Sequence, residues 1–511
     1  METEKLISLL CGDQFMNTKA LPEYDIPSLE MSDGPMGLRY QKKDKDSLGI
    51  NRSEPATCLP AGVAVAASWN PDVAEQVGTI IGSEAAAYGV DLVLGPAVNL
   101  ERNPLCGRNV EYLSEDPLLA GRLGGAYIRG VQSQQVGACI KHFAANNQET
   151  EREYLNVICE EDVLRDLYLK AFEIAIREGK PAAVMTSLSK INGTYCAENR
   201  WLFDILRKEW GFDGLVMTDW FGLDDRVKSA EAGLDLEMPG TDGKSTAYMV
   251  EQWKQGRLDE HVIRERAECI IRNARKWKIP KTKKTEEERE LILKENHEKV
   301  CAAAEEAIVL LKNKNNVLPL KPGTKVYVPD RLEKGKIKFF GNLEDDKVIK
   351  PAIPEQIAPF LTLVDTPEEA DVALVLMESP QSLGYNDDDR LGEKGYLPIS
   401  LQYRPYTAVS AREQSIGQGD YRETENPNRS YKGKTAVCYN EKDLDNVIEM
   451  RRIMGDKPVV AVLTVANMTV PAEFEPYLDA LLVDFYVDRK ATYTILTGGA
   501  EPSALLPFIM P

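Results

Sequence analysis

The feature that most constrains the fold is a regular alternation of short apolar runs and amphipathic stretches between residues 59 and 238. The apolar runs predict strands at 89–94, 137–140, 182–186 and 214–218. Between them, apolar residues at three- and four-residue spacing predict helices at 73–88, 118–132 and 161–178. Strands that alternate with helices imply a parallel sheet, and a span of roughly 250 residues fits a (β/α)8-like barrel. We therefore assign residues 1–275 to one α/β domain of this kind.

Polar side chains close two of the predicted strands. Lys141 and His142 follow the strand at 137–140, and Asp219 follows the strand at 214–218. In barrel enzymes the chemistry lies at the carboxyl ends of the strands. These three residues therefore mark the expected position of a functional site.

The remaining sequence predicts a second, smaller domain. The chain has 511 residues, whereas single cores stop growing near roughly 250–300 residues. Residues 276–300 are rich in charge and are interpreted as a linker that leads into a helix start. From Cys301 onward, a helix at 301–313 and strands at 372–377, 459–464 and 480–483 predict an α/β domain over 301–511. Within it, residues 385–434 form a long polar insertion.

Composition excludes several classes of function. A net charge of −19 disfavours general nucleic-acid binding and anionic membrane surfaces, which both attract Lys and Arg. Only three histidines are present and no CxxC pair occurs, so we expect neither a metal nor another cofactor. The nine scattered cysteines and an N-terminus without a signal-peptide pattern predict a cytoplasmic protein without membrane contact.

Asp219 is the first candidate for chemistry. It ends an apolar strand and is followed by Trp220, which places a carboxylate beside an aromatic wall. Glycosidases use a carboxylate to attack or stabilise an oxocarbenium-like centre, and sugars pack on aromatic rings. An equally acceptable interpretation is that Asp219 caps the helix that follows.

Three further clusters carry charged groups that suit a sugar ligand. Lys141, His142 and Arg152 could donate charged hydrogen bonds to hydroxyl groups, although a lone histidine is more often structural. The stretch 106–117 contains Arg108 and several carboxylates, which could equally form a structural ion-pair network. Asp33 lies in a turn-rich stretch and could simply support that turn.

Taken together, these clusters resemble glycoside hydrolase family 3, and the resemblance covers almost the whole chain. It rests on segments in the family's order: SDGPMGLR, GRNVEYLSEDP, KHFAANNQETER, LVMTDWFG, VLLKNKNNVLPL and EPSALLPFIMP. The resemblance implies a (β/α)8-like barrel followed by an (α/β)6-type sandwich domain, with the active site between them. It implies Asp219 as nucleophile, and a set of residues around the terminal sugar: Asp33, Arg108, Lys141, His142, Arg152, Met185 and Trp220.

The NNQE segment after His142 resembles the glucosidase and xylosidase branch of the family. We therefore expect a retaining, exo-acting β-glycosidase that removes terminal glucose or xylose from a small oligosaccharide or glycoside. A transglycosidase or phosphorolytic enzyme of the same fold is a further alternative, because phosphate can attack a glycosyl-enzyme without a general base.

The sequence departs from the family at the acid/base position. A retaining glycosidase needs a second carboxyl group, which the family supplies from a Glu in the second domain. Leu383 stands at that position. Glu378, at a strand end, is our first candidate for the role, and carboxylates of the insertion are the second: Glu413, Glu423 and Glu425. If none acts, the chain is an impaired or non-catalytic sugar-binding relative.

Two other departures concern the surroundings of the site and the end of the chain. Leu188 stands where the family often has a tyrosine within hydrogen-bond reach of the nucleophile. Many relatives continue into a further β-sandwich domain beyond the point that corresponds to Pro511. Either the protein lacks this domain or the chain is truncated; in the first case, exposed apolar surface could favour a homodimer.

Overall fold

A computed structural model describes residues 1–41, 52–335, 344–386, 395–414 and 430–511. The chain divides into two compact units. The first comprises Met1–Arg102 and Glu111–Val300, and the second comprises Asn103–Val110 and Cys301–Pro511. Among the helices of the described ranges, none is both long enough and apolar enough to cross a lipid bilayer.

The first unit is built from short buried strands connected by helices. Its helices are α1 (Thr3–Leu9), α2 (Gly62–Ala67), α3 (Pro71–Tyr88), α4 (Pro117–Ser133), α5 (Glu161–Val163), α6 (Lys170–Gly179), α7 (Arg200–Asp204), α8 (Arg226–Ala232), α9 (Lys244–Lys254) and α10 (Glu260–Trp277). Helix α11 (Glu286–Glu305) begins in this unit and ends in the second. Its strands are β1 (Met31–Ser32), β2 (Leu92–Val93), β3 (Gly137–Phe143), β4 (Asn156–Val157), β5 (Ala183–Thr186), β6 (Lys190–Ile191), β7 (Thr194–Tyr195) and β8 (Leu215–Met217).

The main sheet of this unit is parallel, in the order β1-β2-β3-β5-β8. Backbone bridges continue it from Met217 to Leu236 and from Glu237 to Cys11, and further bridges lead through Gly12 and Thr18 toward the residue before β1. These isolated bridges extend the backbone pairing beyond β8. The prediction of an α/β fold with a parallel sheet is confirmed.

Each predicted strand of this unit is present, with small shifts at its ends. The largest differences concern β2, which covers only Leu92–Val93, and β3, which continues to Phe143. Lys141 and His142, expected to follow β3, therefore lie inside it. The helix expected at 161–178 is interrupted by a π-helical segment at Leu164–Tyr168. The side chains of β3, β5 and β8 are buried, which fixes the strand ends that carry the polar residues.

The second unit is an α/β structure around a six-stranded sheet in the order β13-β10-β14-β19-β20-β9. Its strands are β9 (Val309–Asn313), β10 (Lys325–Tyr327), β11 (Arg331–Glu333), β12 (Lys347–Ile349), β13 (Thr362–Leu363), β14 (Val372–Glu378), β15 (Tyr385–Asn386), β16 (Gly395–Tyr396), β17 (Tyr406–Thr407), β18 (Thr435–Ala436), β19 (Val459–Thr464) and β20 (Ala480–Asp484). Its helices are α12 (Pro354–Ile357), α13 (Lys442–Met454) and α14 (Arg489–Leu496).

The helix predicted at 301–313 is wrong over most of its length. The helical segment α11 ends at Glu305, and residues Val309–Asn313 form β9, which pairs antiparallel with β20. The apolar run Ile308-Val309-Leu310 fits a pleated strand beside a buried neighbour, and this pairing outweighs the helical preference of the preceding alanines.

Candidate active site

Asp219 lies directly beyond the carboxyl end of β8. The buried Thr218 anchors this end, because its hydroxyl donates to the carbonyl of Met238 (3.2 Å) and accepts from the Met238 N–H (2.8 Å). Oδ1 of Asp219 accepts the backbone N–H of Trp220 at 2.7 Å, and its side chain is 17% exposed. The carboxylate is thus fixed through one oxygen and accessible to a small ligand.

The alternative in which Asp219 caps the following helix is wrong. Helix α8 is capped by Asp225, whose Oδ1 accepts the N–H groups of Val227 (2.9 Å) and Lys228 (3.1 Å). Because Asp225 satisfies the N-terminus of α8, Asp219 is not the cap of this helix.

His142 faces the second oxygen of Asp219. Its Nε2 lies 3.7 Å from Oδ2 of Asp219, and its side chain is almost fully buried. Asn99 holds the backbone of His142 from both sides: its Oδ1 accepts the His142 N–H (2.9 Å) and its Nδ2 donates to the His142 carbonyl (3.0 Å). The sequence analysis missed Asn99, although an asparagine next to a predicted strand end was the available signal.

Lys141 forms the other half of the cluster on β3. Its ammonium group donates to Oδ1 of Asp33 at 2.7 Å and lies 3.6 Å from Oε1 of Glu111. The lysine side chain is 4% exposed, whereas that of Asp33 is 44% exposed. The buried cation therefore orients an accessible carboxylate, an arrangement that can bind adjacent hydroxyl groups of a sugar. Glu111 is the partner that sequence reasoning did not assign to Lys141.

Trp220 forms a wall next to Asp219. Its indole Nε1 donates to the carbonyl of Phe15 at 2.9 Å, and its ring packs edge-on against the Phe15 ring at a centroid distance of 6.0 Å. The ring also packs against the hydrophobic core of the first unit. The aromatic side chain is therefore held in one orientation beside the carboxylate.

Leu188 packs closely against Gly222, in the loop that follows Asp219. A methyl group on Gly222 would lie 2.7 Å from Cδ2 of Leu188 and 3.2 Å from the carbonyl oxygen of Asp219. Leu188, which is buried, thus lies close to the loop that carries the carboxylate. Met185 is buried in the core cluster of the first unit, on the strand beside Met217.

The two predicted arginines are in different situations. Nη1 of Arg152 forms an ion pair with Oε2 of Glu149 at 2.8 Å, and Nδ2 of Asn146 donates to the other oxygen of this glutamate at 3.0 Å. Arg108 is half-buried and lies on Asn103–Val110, the segment that belongs to the second unit. Their predicted contacts with a sugar stay predictions.

Glu378 ends β14 in the second unit and is tightly engaged. Nη1 of Arg331 contacts its Oε1 at 2.7 Å, and Nε2 of Gln381 donates to its Oε2. Asp443 accepts the Glu378 N–H at 3.2 Å and binds Arg331 with both oxygens, at 2.9 and 2.8 Å. To transfer a proton to a substrate, Glu378 would have to give up contacts on both oxygens.

The other acid/base candidates lie in the long insertion. Glu413 is exposed and lies 3.4 Å from the ammonium group of Lys432. Glu423 and Glu425 fall outside the described residues. Leu383 is partly exposed and follows the Glu378 strand by a few residues.

The family comparison agrees with this architecture. The glycosyl hydrolase family 3 N-terminal domain matches residues 31–273, and the glycosyl hydrolase family 3 C-terminal domain matches residues 308–511. Both parts of one family are thus found in order in a two-unit α/β chain. The chain belongs to glycosyl hydrolase family 3, as the resemblance predicted.

Individual relatives point to the same family. The chain is 44% identical over 323 residues to thermostable beta-glucosidase B of Acetivibrio thermocellus and 41% identical over 318 residues to probable beta-glucosidase I of Emericella nidulans. These matches cover 63% and 61% of the chain but only 42% and 37% of the relatives, so the chain spans about two fifths of their length.

Among solved structures, beta-glucosidase 3B from Thermotoga neapolitana in complex with alpha-D-glucose matches with a TM-score of 0.76 and 26% identity. The match covers 100% of this chain and 74% of that protein. The Bifidobacterium adolescentis GH3 beta-glucosidase matches with a TM-score of 0.76 and 27% identity, over 99% of this chain and 70% of its own.

Proposed function

We propose that this chain is a retaining, exo-acting β-glycosidase that releases terminal glucose or xylose, with Asp219 as its nucleophile. The observation that carries the proposal is the Asp219 carboxylate at the end of β8, fixed by Trp220 and faced by His142 at 3.7 Å. Membership of family 3 and the beta-glucosidases among its relatives support the substrate class.

In the proposed reaction, an oxygen of Asp219 attacks the anomeric carbon and forms a covalent glycosyl-enzyme. The bond to the leaving oxygen breaks, and water later attacks the same carbon and regenerates the carboxylate. Asp33 and Lys141 would bind hydroxyl groups of the sugar, and Trp220 would cover one face of its ring. Because these groups are held by buried contacts, little reorganisation is needed when the substrate binds.

Arg108, Arg152 and Met185 are proposed as further contacts with the sugar. Arg152 offers a charged donor that its partner Glu149 already orients. Met185 lies within β5 and is buried. It would therefore offer apolar surface to the sugar only if the substrate reaches the core.

The leaving oxygen needs a proton, and Glu378 is the first candidate to supply it. Its place at a strand end supports this role, whereas its contacts with Arg331 and Gln381 count against it. These contacts, together with Leu383, favour a second candidate function: an impaired relative that binds sugar and cleaves only glycosides with good leaving groups. Loss of a general acid typically lowers rates by roughly 10²–10⁴-fold.

A two-substrate comparison separates the two functions. A nitrophenyl β-glucoside has a leaving group that needs no proton, whereas the matching β-linked disaccharide does. We expect the wild type to cleave both, and Glu378→Gln to lose the disaccharide selectively if Glu378 is the acid/base. Asp445→Asn, which alters a partly exposed carboxylate in the same unit, serves as the control.

Cleavage of the nitrophenyl glycoside alone by the wild type would favour the impaired relative. If neither the wild type nor Glu378→Gln releases nitrophenol, both the complete glycosidase and the impaired one are contradicted. Phosphate added to the same assay tests the phosphorolytic alternative, because sugar phosphate would then appear among the products.

A further inference from the structure

A polar pocket of about 500 Å³ lies in the first unit beside the starts of helices α8 and α9. This volume is within the roughly 300–1,000 Å³ of typical small-molecule sites. Its lining contains none of the residues assigned above to the sugar at Asp219. The pocket is therefore a distinct feature of this unit.

Arg226 forms the buried wall of this pocket. Its side chain is 3% exposed, and Nη2 donates to the carbonyl oxygens of Leu10 (2.7 Å) and Asp235 (3.2 Å). Within the part of the chain that the structure describes, Nε and Nη1 have no hydrogen-bond acceptor. A buried guanidinium whose N–H groups lack acceptors destabilises the fold. Binding of a ligand that supplies these acceptors is therefore favoured.

Glu237 supplies the complementary acceptor. Its Oε1 accepts the hydroxyl of Ser245 at 2.8 Å, and its Oε2 lies 3.6 Å from Nε of Arg226. That separation allows ion pairing but exceeds hydrogen-bond distance, and Oε2 has no donor among the described residues. A buried donor and a buried acceptor therefore face the pocket side by side.

The charges around the pocket balance each other. Three cationic side chains and three carboxylates line it: Arg226, Lys228, Lys244, Asp224, Asp225 and Glu237. The carboxylates would repel an anion and the basic groups would repel a cation, so the lining as a whole attracts neither charge. A neutral ligand that both donates and accepts hydrogen bonds suits this lining best.

We propose that the pocket binds a neutral polyhydroxylated molecule, a mono- or disaccharide, at a site separate from Asp219. One hydroxyl group accepts a hydrogen bond from Nε of Arg226 and donates one to Oε2 of Glu237, and a second hydroxyl group accepts from Nη1 of Arg226. The half-exposed ring of Tyr248 offers the apolar surface on which the C–H face of a sugar packs. This site would bind the sugar without a reaction, and its existence does not depend on the proposed hydrolysis at Asp219.

Calorimetric titration with D-glucose tests this site. We expect Tyr248→Ala and Ser245→Ala each to weaken one binding component by roughly tenfold, the effect of one lost contact. Tyr477→Ala, which removes a similarly exposed tyrosine from the second unit, should leave that component unchanged. D-glucuronate should bind this site more weakly than D-glucose, because its carboxylate meets Asp224 and Glu237.

Asp33→Asn separates this site from the proposed catalytic one. The second-site component should persist in Asp33→Asn and weaken in Tyr248→Ala. If no component of the isotherm responds to Tyr248→Ala, or if D-glucuronate binds more tightly than D-glucose, the second site is refuted. Hydrolysis of the nitrophenyl glycoside, measured on the same proteins, reports on the proposed function independently.

Discussion

Asp443→Asn removes one charge from a buried ion pair in the second unit. The Asp443 carboxylate is inaccessible to solvent and accepts two N–H groups of Arg331, at 2.9 and 2.8 Å. It also accepts the backbone N–H of Glu378 (3.2 Å) and the amide of Asn440 (3.0 Å). Arg331 is 5% exposed, so water cannot replace the lost carboxylate.

The size of the effect follows from this geometry. Breaking a buried ion pair from one side costs about 3–5 kcal/mol, because the remaining charge stays buried. Glu378 still contacts Arg331 at 2.7 Å, so we expect the lower end, about 3 kcal/mol. For a cooperative unit of 150–250 residues, each kcal/mol lowers Tm by about 2–4 °C, which gives a fall of roughly 6–12 °C.

Differential scanning calorimetry measures this fall, and Asp445→Asn provides a matched control. Asp445 lies on the same helix, α13, and pairs with Arg404 at 2.7 Å and with Lys442 at 2.9 Å, but all three side chains are at least 32% exposed. A surface pair contributes about 0–1 kcal/mol and an i,i+3 pair within a helix about 0.2–0.5 kcal/mol, so the control should lower Tm by at most about 6 °C and by less than Asp443→Asn. Equal shifts in the two variants would refute the reasoning.

Three further predictions concern the first unit. Lys141→Met should lower kcat/KM for a nitrophenyl β-glucoside by roughly 10–100-fold through loss of charged hydrogen bonds. Lys170→Met, which breaks a partly exposed ion pair with Glu173, should leave initial rates unchanged. Burial and, less strongly, Glu115 raise the pKa of Glu101 well above its usual range, so the folded state keeps a proton that the unfolded state releases. Wild-type stability therefore falls as pH rises above about 4.5, and urea unfolding should show Glu101→Gln more stable than wild type at about pH 7 but equal at about pH 4. Gly222→Ala should lower kcat because its new methyl group meets Leu188, and adding Leu188→Ala should restore part of the rate. A double variant as slow as Gly222→Ala would show that the clash with Leu188 is not the cause.

Much of the fold could be predicted because the core strands carry their own signal. The strands Ala183–Thr186 and Val459–Thr464 are buried and mainly apolar, and both their type and their approximate bounds follow from periodicity. The apolar run 137–140 likewise predicts the start of β3, whereas its last three residues, which include Lys141 and His142, carry no such signal. The segment Val309–Asn313 could not be predicted in this way. Its strand state depends on pairing with Ala480–Asp484, which lies far away in the sequence.

For the site, too, the sequence locates single residues but not the contacts that depend on distant parts of the chain. Asp219 and Lys141 could be located because each lies at the end of an apolar run. The partners of these groups, by contrast, depend on the fold, which brings Asp33 and Glu111 to Lys141. In the same way, only the fold brings Arg331 to Glu378. For Asp219, periodicity could not separate a helix cap from a site residue, because the choice depended on Asp225 six positions later.

Trapping of the glycosyl-enzyme tests the central claim most directly. A 2-deoxy-2-fluoro-β-glucosyl fluoride needs no proton donor to form the covalent intermediate, so the result does not depend on the acid/base residue. Our account predicts that mass spectrometry finds one fluoroglucosyl group on the peptide that contains Asp219. The label should be absent in Asp219→Ala and retained in Asp213→Ala, a change at an exposed position just before the same strand. A label on another residue, or one that persists in Asp219→Ala, would contradict the account.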